Sequence, residues 1–449
     1  MLQGDSRPGP TNATLTARRA SLPDDMRADP PVWQRALFVA WILLSFGTPH
    51  PSTDNDLVLG GSRAEIFWAL AYLAASLGII VERRSALTLL RASAPLLLIL
   101  SLAVLSTLWS VDPNTSGRRS LELLGSTVIS LYFVCRFTLA AMLETLCVAA
   151  ATTAVLSLAL IIFLPSVGLA PDDPSGAWQG YFQHKNVLGS FMVLGMLTVV
   201  PHILSTRGAR RLAAIGGLSF LAILLIGSRS AASELAAAAL AVTVVSLSWS
   251  RSSKSLRPIL LGSLAVCVAA LVLFASNSGL DSLLRIFGKD ATLTGRTDIW
   301  QAAFDAIADR PLLGFGYKTF WDPQGAFSLY YPRSDWDPYG AHDGFLDVAL
   351  SLGLAGEVLL ILFLFVAFNR AARAFWRSRD WSTIWPISIV IYSILINIVE
   401  AGFLNYNSVG WNILVAAFWF ATEACQRCDG AGRLTAARIS TSAHRMPQH

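Results

Sequence analysis

Long apolar segments alternate with short polar connections along most of this chain. Each segment approaches the roughly 20 mainly apolar residues that a helix needs to cross a bilayer. The pattern therefore predicts an all-α, polytopic membrane protein. We place about twelve transmembrane helices at Val32–Phe46, Ala64–Val81, Ala94–Trp109, Leu121–Cys135, Leu146–Leu164, Val187–Leu204, Leu212–Ile226, Ala232–Trp249, Ile259–Ala275, Leu354–Phe368, Thr383–Val399 and Val409–Ala421.

One long polar connection, Asn277–Asp343, interrupts this alternation. It contains an amphipathic pattern over Thr297–Asp309, which predicts a helix that Pro311 ends. A second short helix is predicted at Gly344–Leu352, leading into the tenth span. Polar connections of this length are usually functional or disordered. The aromatic residues and the varied composition favour a functional segment with short helices.

Composition supports the membrane assignment. The chain is 54% hydrophobic and 14% charged, with a mean hydropathy of +0.54, whereas soluble proteins carry about 25% charged residues. Most of the 34 lysines and arginines fall on connections that are cytoplasmic if the N-terminus is inside. This asymmetry predicts that both termini are cytoplasmic and that the long connection lies outside the cytoplasm, which is the periplasm if the membrane is the inner membrane of a Gram-negative bacterium. The net charge of +5 follows from this topology, and the absence of an aromatic-laced basic patch argues against nucleic acid.

The pattern divides the chain into five parts. No cleavable signal is visible near the N-terminus. Cys425 and Cys428 form a single CxxC, which is a poor zinc site without further ligands. The parts are a disordered cytoplasmic leader (1–31), transmembrane helices 1–9 (32–275), an extracytoplasmic catalytic loop (276–343), transmembrane helices 10–12 (344–424) and a cytoplasmic tail (425–449).

Three residues are the candidates for catalysis. Arg229 lies in IGSRSAAS at the outer end of the seventh span, where the charge rule disfavours arginine. Arg296 lies beside the predicted N-terminus of the amphipathic helix, a position that favours anions. Arginine adds a planar fork of donors that fits phosphate oxygens. His342, in GAHDG, has the side chain best suited to proton transfer near neutral pH, and Asp343 or Asp347 could orient it.

Four further residues are candidates for substrate binding. His184 and Lys185 precede the sixth span, and Lys185 could hold a phosphate or a sugar, or only snorkel to the membrane surface. Tyr317 and Lys318 follow Gly316, where aromatic rings could stack on sugars or form part of an interfacial belt. The sequence lacks an HExxH-type pair, so we predict no metal site and no cofactor.

Six motifs, in order along most of the chain, resemble the bacterial O-antigen ligase and polysaccharide polymerase superfamily. The resemblance is greatest to the exopolysaccharide-production polymerase branch. Where that family commonly has HNG, this chain has His342-Asp343-Gly344. The motifs are LSTLWSVDP (Leu105–Pro113), GYFQHKN (Gly180–Asn186), GSRSA (Gly227–Ala231), TGRTDIW (Thr294–Trp300), RPLLGFGY (Arg310–Tyr317) and AHDGFLD (Ala341–Asp347).

The resemblance implies an inverting, metal-independent glycosyltransferase that uses an undecaprenyl-diphosphate-linked oligosaccharide as donor. Arg229 and Arg296 would bind the leaving diphosphate. His342 would position or deprotonate a hydroxyl of the acceptor glycan, and Lys185 would assist at the phosphate or the glycan. The reaction would polymerise repeat units of an exopolysaccharide or O-antigen. A flippase and a chain-length regulator are the expected protein partners.

Two other functions stay open from the sequence. A ligase of the same superfamily, which attaches finished glycan to lipid A-core or protein, shares all six motifs. A secondary transporter of anionic solutes would also place arginines in the membrane, but such transporters more often show broken helices at the midplane.

Overall fold

The computed structural model of the chain describes residues 29–46, 62–171, 173, 175–252, 294–322, 325–331 and 340–443. Within these ranges the protein is a bundle of α-helices without strands, which confirms the all-α prediction. The principal helices are α1 (Val32–Phe46), α2 (Ser62–Val81), α3 (Arg83–Arg91), α4 (Ala94–Leu105), α5 (Pro113–Arg136), α6 (Leu139–Phe163), α7 (Lys185–Ser205), α8 (Gly208–Ser228), α9 (Ala231–Ser252), α10 (Thr294–Asp309), α11 (Gly344–Arg377), α12 (Ile384–Ile396) and α13 (Val409–Ala443).

Every predicted span except the ninth coincides with one of these helices. The ninth, Ile259–Ala275, lies outside the described residues, as do most of the leader and residues 277–293 and 332–339 of the long connection. Across the described ranges, five helices are long and apolar enough to cross a membrane. The number rises to six if α2 and α3, which meet at a bend of 97°, count as one span. The count of twelve stays a prediction.

The centre of the bundle is formed by α11, α12 and α13. Helix α12 is buried along almost its whole length, so it packs on all sides against protein rather than lipid. Large aromatic side chains fill the space between these helices. Those with almost no exposed surface include Trp385, Trp411, Trp419, Phe363 and Phe418.

Helix α11 is broken at Gly353, whose φ of 63° lies in the left-handed region. The break separates a short helix, Gly344–Leu352, from the long helix that follows, and so confirms the short helix predicted before the tenth span. The RPLLGFGY segment docks into the break. The backbone N–H groups of Phe315 and Gly316 donate to the carbonyls of Leu350 and Ser351, at 2.8 and 3.0 Å.

The other side of the break is bonded in the same way. The N–H groups of Leu354 and Ala355 donate to the carbonyls of Pro311 and Leu312, at 2.8 and 3.1 Å. A broken helix exposes backbone groups that lipid cannot satisfy. The docked segment supplies the missing partners, which explains how an irregular backbone persists next to a membrane-crossing helix.

The LSTLWSVDP motif holds the docked segment from its other face. The Val111 N–H donates to the Phe315 carbonyl at 3.0 Å, and the Trp109 indole N–H donates to the Leu313 carbonyl at 2.9 Å. The N–H of Tyr317 donates to the Ser106 hydroxyl at 2.9 Å. Two motifs that are far apart in sequence therefore form one interlocked unit with the break of α11.

We expect Gly353→Ala to destabilise the protein by about 3 kcal/mol or more, through backbone strain and a steric clash of the new Cβ. A Cβ at Gly353 would lie 2.3 Å from the backbone carbon of Leu312. The measurement is thermal unfolding in detergent. The matched control is Gly216→Ala in α8, where a Cβ meets nothing within 4 Å. Equal unfolding temperatures for the two variants would contradict the role of the break.

The predicted topology is tested by reporter fusions. Fusions after Lys289 and Ser334 are expected outside the cytoplasm, and fusions after Arg211 and Arg377 inside it, because arginine placement sets the orientation. A cytoplasmic signal after Lys289 would refute the extracytoplasmic loop and the mechanism that depends on it.

Candidate functional site

The GYFQHKN motif forms the N-terminus of α7. His184 is the N-cap residue, and its Nδ1 accepts a hydrogen bond of 3.1 Å from the backbone N–H of Asn186. This bond leaves Nε2 as the ring atom that can donate while His184 is neutral. Loss of water around the ring lowers the pKa of His184, although the residue is partly exposed, and the nearby Glu400 carboxylate opposes the shift.

The GSRSA motif lies against this same helix end. Arg229 is the C-cap of α8, with a left-handed φ of 51°, and is exposed. A Cβ at Gly189, in the first turns of α7, would lie within about 3 Å of the side chains of Ser228 and Ser230. The close fit places the turn that carries Arg229 beside the beginning of α7.

Lys185 forms an ion pair with Asp173, which lies in the loop before α7. The Lys185 ammonium, together with the bonds from Ser175, holds the pKa of the Asp173 carboxyl well below its usual range. The loop is anchored where the N–H of Trp178 donates to the carbonyl of Gly227 at 2.9 Å. It therefore joins the GYFQHKN and GSRSA motifs.

His342 lies just before α11 with a left-handed φ of 52°. Its neighbour Ala341 is held on both sides. The Ala341 N–H donates to the Asp347 carboxylate at 2.9 Å, and the Trp300 indole N–H donates to the Ala341 carbonyl at 2.8 Å. These two bonds fix the backbone that presents the imidazole.

Asp343 serves as the N-cap of α11. Its Oδ1 accepts from the N–H groups of Phe345 and Leu346, at 2.8 and 3.0 Å. Asparagine and aspartate are equally good N-caps. The His-Asp-Gly sequence therefore preserves the helix start that His-Asn-Gly would give.

Glu400, in the loop after α12, links the AHDGFLD motif to the GYFQHKN motif. Its Oε2 lies 3.6 Å from Nδ1 of His342, an ionic distance rather than a hydrogen bond. Its Oε1 accepts from the Asn186 side-chain amide at 2.8 Å. Glu400 was not recognisable from the sequence as part of this site, because its contact with Asn186 joins residues 214 positions apart.

Arg296 lies in the first turn of α10, which begins at Thr294. The same helix contains Trp300, whose indole N–H donates to the Ala341 carbonyl. The backbone of Arg296 therefore lies one helical turn before Trp300. The side chain of Arg296 is outside the described part of the structure. Its predicted contact with an anion therefore stays a prediction.

Lys318 and Tyr317 have different surroundings. Lys318, with a φ of 56°, is largely buried and its Nζ lies 3.5 Å from Oδ2 of Asp347. Tyr317 has no exposed surface, and its hydroxyl donates to the carbonyl of Leu404. Tyr317 therefore contributes to the packing of the docked segment, and its contact with a sugar stays a prediction.

The described residues thus bring His184, Lys185, Asn186, Glu400 and His342 into one cluster, with the Arg229 turn packed against the same helix end. Lys318 joins the cluster indirectly, through Asp347 and Ala341. No group of three or more histidine, cysteine or acidic side chains that could hold a metal is found in these ranges. The cluster can bind an anion and can accept a proton.

Two comparisons found known proteins with similar sequences. Residues 214–361 match the family model of the O-antigen ligases. The chain is also 28% identical, over 311 residues, to the exopolysaccharide production protein ExoQ of Rhizobium meliloti (strain 1021). That alignment covers 65% of this chain and 67% of the relative.

Proposed function

Because the chain belongs to the O-antigen ligase and polysaccharide polymerase superfamily, in its exopolysaccharide branch, we propose that it is an inner-membrane polymerase. It transfers glycan from an undecaprenyl-diphosphate carrier to a sugar hydroxyl on the periplasmic face. The observation that carries the proposal is the position of Glu400, which contacts both His342 and Asn186. Through this contact a candidate base lies close to the candidate phosphate-binding residue Lys185.

The proposed reaction is a direct displacement at the anomeric carbon. The acceptor hydroxyl oxygen forms the new glycosidic bond while the bond from carbon to the phosphate oxygen breaks, and its electron pair leaves with the diphosphate. His342 takes the hydroxyl proton. The Glu400 carboxylate, at 3.6 Å, then stabilises the imidazolium.

Cationic side chains stabilise the charge that develops on the leaving diphosphate. Lys185 and Arg229 are supplied by the first turn of α7 and by the turn packed against it. Arg296 is supplied by α10, whose Trp300 also holds the backbone before His342. Neutral His184 adds an Nε2–H donor for a phosphate or hydroxyl oxygen.

The test of polymerase against ligase is the length of the carrier-linked glycan in cells that lack the protein. A polymerase leaves single lipid-linked repeat units that have crossed the membrane. Long glycan still attached to the carrier would identify the chain as a ligase, because polymerisation would then have occurred without it. The match to the family model of the O-antigen ligases supports ligase activity as the second candidate function.

We predict that transfer does not depend on a metal ion, because arginine and lysine side chains take the place of a cation at the diphosphate. The purified protein is expected to keep its full rate in excess chelator. The control is a magnesium-dependent glycosyltransferase assayed in the same buffer. Loss of activity that added magnesium or manganese restores would refute the prediction.

A further inference from the structure

The tip of the RPLLGFGY segment exposes apolar side chains. Leu312 is 69% exposed and Leu313 is 43% exposed, although most of the residues that follow them, 314–317, are buried. Single exposed leucines are ordinary on a protein surface, but these two belong to a larger apolar surface. Its other members are Leu105, Leu108, Leu354, Val358 and Ile361.

The tip lies between the ends of two apolar helices. The N–H of Leu354 donates to the Pro311 carbonyl at 2.8 Å, so the exposed apolar face of α11 begins beside the tip. On the other side, the indole N–H of Trp109 donates to the Leu313 carbonyl at 2.9 Å, and the exposed Leu108 directly precedes Trp109. The tip therefore joins the apolar face of α11 to the apolar surface at the end of α4.

The length of α11 determines how deep this junction lies in the membrane. After the break the helix runs without interruption to Arg377, and Arg370 is the first basic residue on it. The axis from Leu354 to Arg370 is about 24 Å long at a rise of about 1.5 Å per residue, whereas the hydrocarbon core of a bilayer is about 30 Å thick. With Arg370 at the boundary where the charge asymmetry puts it, Leu354 and the tip beside it lie inside the hydrocarbon core.

The carbonyl groups of the tip are arranged for an environment without water. Each carbonyl oxygen of residues 310–313 accepts a hydrogen bond from the protein. The donors, in order, are the backbone N–H groups of Gly314, Leu354 and Ala355 and the indole N–H of Trp109. Hydrocarbon cannot supply such donors, whereas a turn in water can leave its carbonyls to solvent. Pro311 has no N–H that would need an acceptor.

We propose that residues 311–314 are inserted into the hydrocarbon of the bilayer, where lipid chains cover Leu312 and Leu313. Arg310 is exposed, with its guanidinium 4.8 Å from the centre of the Phe315 ring, and its side chain is long enough to reach the headgroups. The inference is independent of the proposed reaction. It places part of the long polar connection inside the membrane, and residues 344–352 then connect this lipid boundary to His342.

The test uses nitroxide labels on the full chain in phosphatidylcholine nanodiscs. After the five native cysteines are replaced by alanine, single labels are placed by Leu312→Cys, Leu313→Cys, Val358→Cys and Gln301→Cys. Each label collides with oxygen, which concentrates in hydrocarbon, and with a nickel chelate, which stays in water, so the ratio of the two collision rates rises with depth. Val358, on the apolar face of α11, is the membrane control, and Gln301, exposed on α10, is the water control.

The ratio at Leu312 and Leu313 is expected to match that at Val358 and to exceed that at Gln301 by about tenfold, which corresponds to a partition free energy of about 1.4 kcal/mol. A ratio like that of Gln301 would show that the tip lies in water and would overturn the proposal. Labels that neither reagent reaches would also overturn it, since another protein or a second copy of the chain would then cover the tip.

A charge placed on the tip provides an independent measurement. At an exposed site in water, Leu312→Asp would change stability little, whereas a charge in hydrocarbon is costly. Leu312→Asp is therefore expected to lower the unfolding temperature in nanodiscs by about 3 °C or more, while Leu312→Met leaves it unchanged. The matched control is Asn114→Asp, which adds the same charge at the exposed start of α5. Equal unfolding temperatures for Leu312→Asp and Asn114→Asp would contradict insertion of the tip.

Discussion

Replacement of His342 by alanine is expected to lower glycan transfer by about 10²- to 10⁴-fold, the usual contribution of a general base. The protein should still fold, because the bonds that fix this turn come from Ala341 and Asp343 rather than from the imidazole. Transfer by purified protein gives the rate. In cells, single carrier-linked repeat units should accumulate.

His202→Ala is the matched control, since His202 lies in the last turn of α7, at the opposite end from His184. Glu400→Gln should give a smaller loss, because glutamine can keep the Asn186 contact but cannot stabilise an imidazolium. Long polymer made by His342→Ala at normal protein levels would show that another group removes the proton. It would also separate His342 from Glu400 in function.

Lysine in place of Arg229 or Arg296 is expected to reduce transfer about 10²- to 10³-fold, nearly as much as alanine. A lysine keeps the charge but loses the planar pair of N–H groups that binds two phosphate oxygens together. The measurement is the transfer rate at saturating donor. Arg210→Lys, at the exposed opposite end of α8, is the matched control.

The two arginines give separable results. Arg229 follows a helix and has a left-handed φ, so any non-glycine replacement keeps the same backbone cost and the comparison of lysine with alanine reports the side chain. Full activity in Arg296→Lys would mean that a positive charge alone is sufficient at this position. Full activity in Arg296→Ala would show that α10 contributes no side chain from position 296 to anion binding.

The helices were predictable because lipid imposes a strong rule on sequence. A segment that crosses a membrane has to be apolar and helical, so hydropathy alone located α7, α8 and α9. The short helix before the tenth span was also predictable, since polar GAHDG and Gly353 flank it. The boundaries were less exact. Helix α5 begins at Pro113, eight residues before the predicted span, because Asp112 caps it and polar turns extend it beyond the apolar core.

The candidate site was only partly predictable. Residue types and their immediate neighbours identified His184, Lys185 and His342, which the structure brings together. Glu400 was missed as a partner because it acts through contacts between separate loops. Asp173 was missed because its contact with Lys185 depends on how the loop before α7 folds. For Tyr317 the local sequence does not distinguish between two roles. An aromatic residue beside glycines has the same local sequence whether it contacts a sugar or fills the core.

The docking of the RPLLGFGY segment into the break of α11 has a consequence for the timing of assembly. Ribosomes make the segment after its LSTLWSVDP partners but before Gly344–Arg377 exists. The bonds to Val111 and Trp109 can form at once, whereas those to Leu350 and Leu354 wait for a helix that has not yet been inserted. His342 is made just before that helix, and Glu400 follows after it. A nascent chain that already carries Lys185 and both arginines is therefore inert, and activity begins only when the last helices close around the segment.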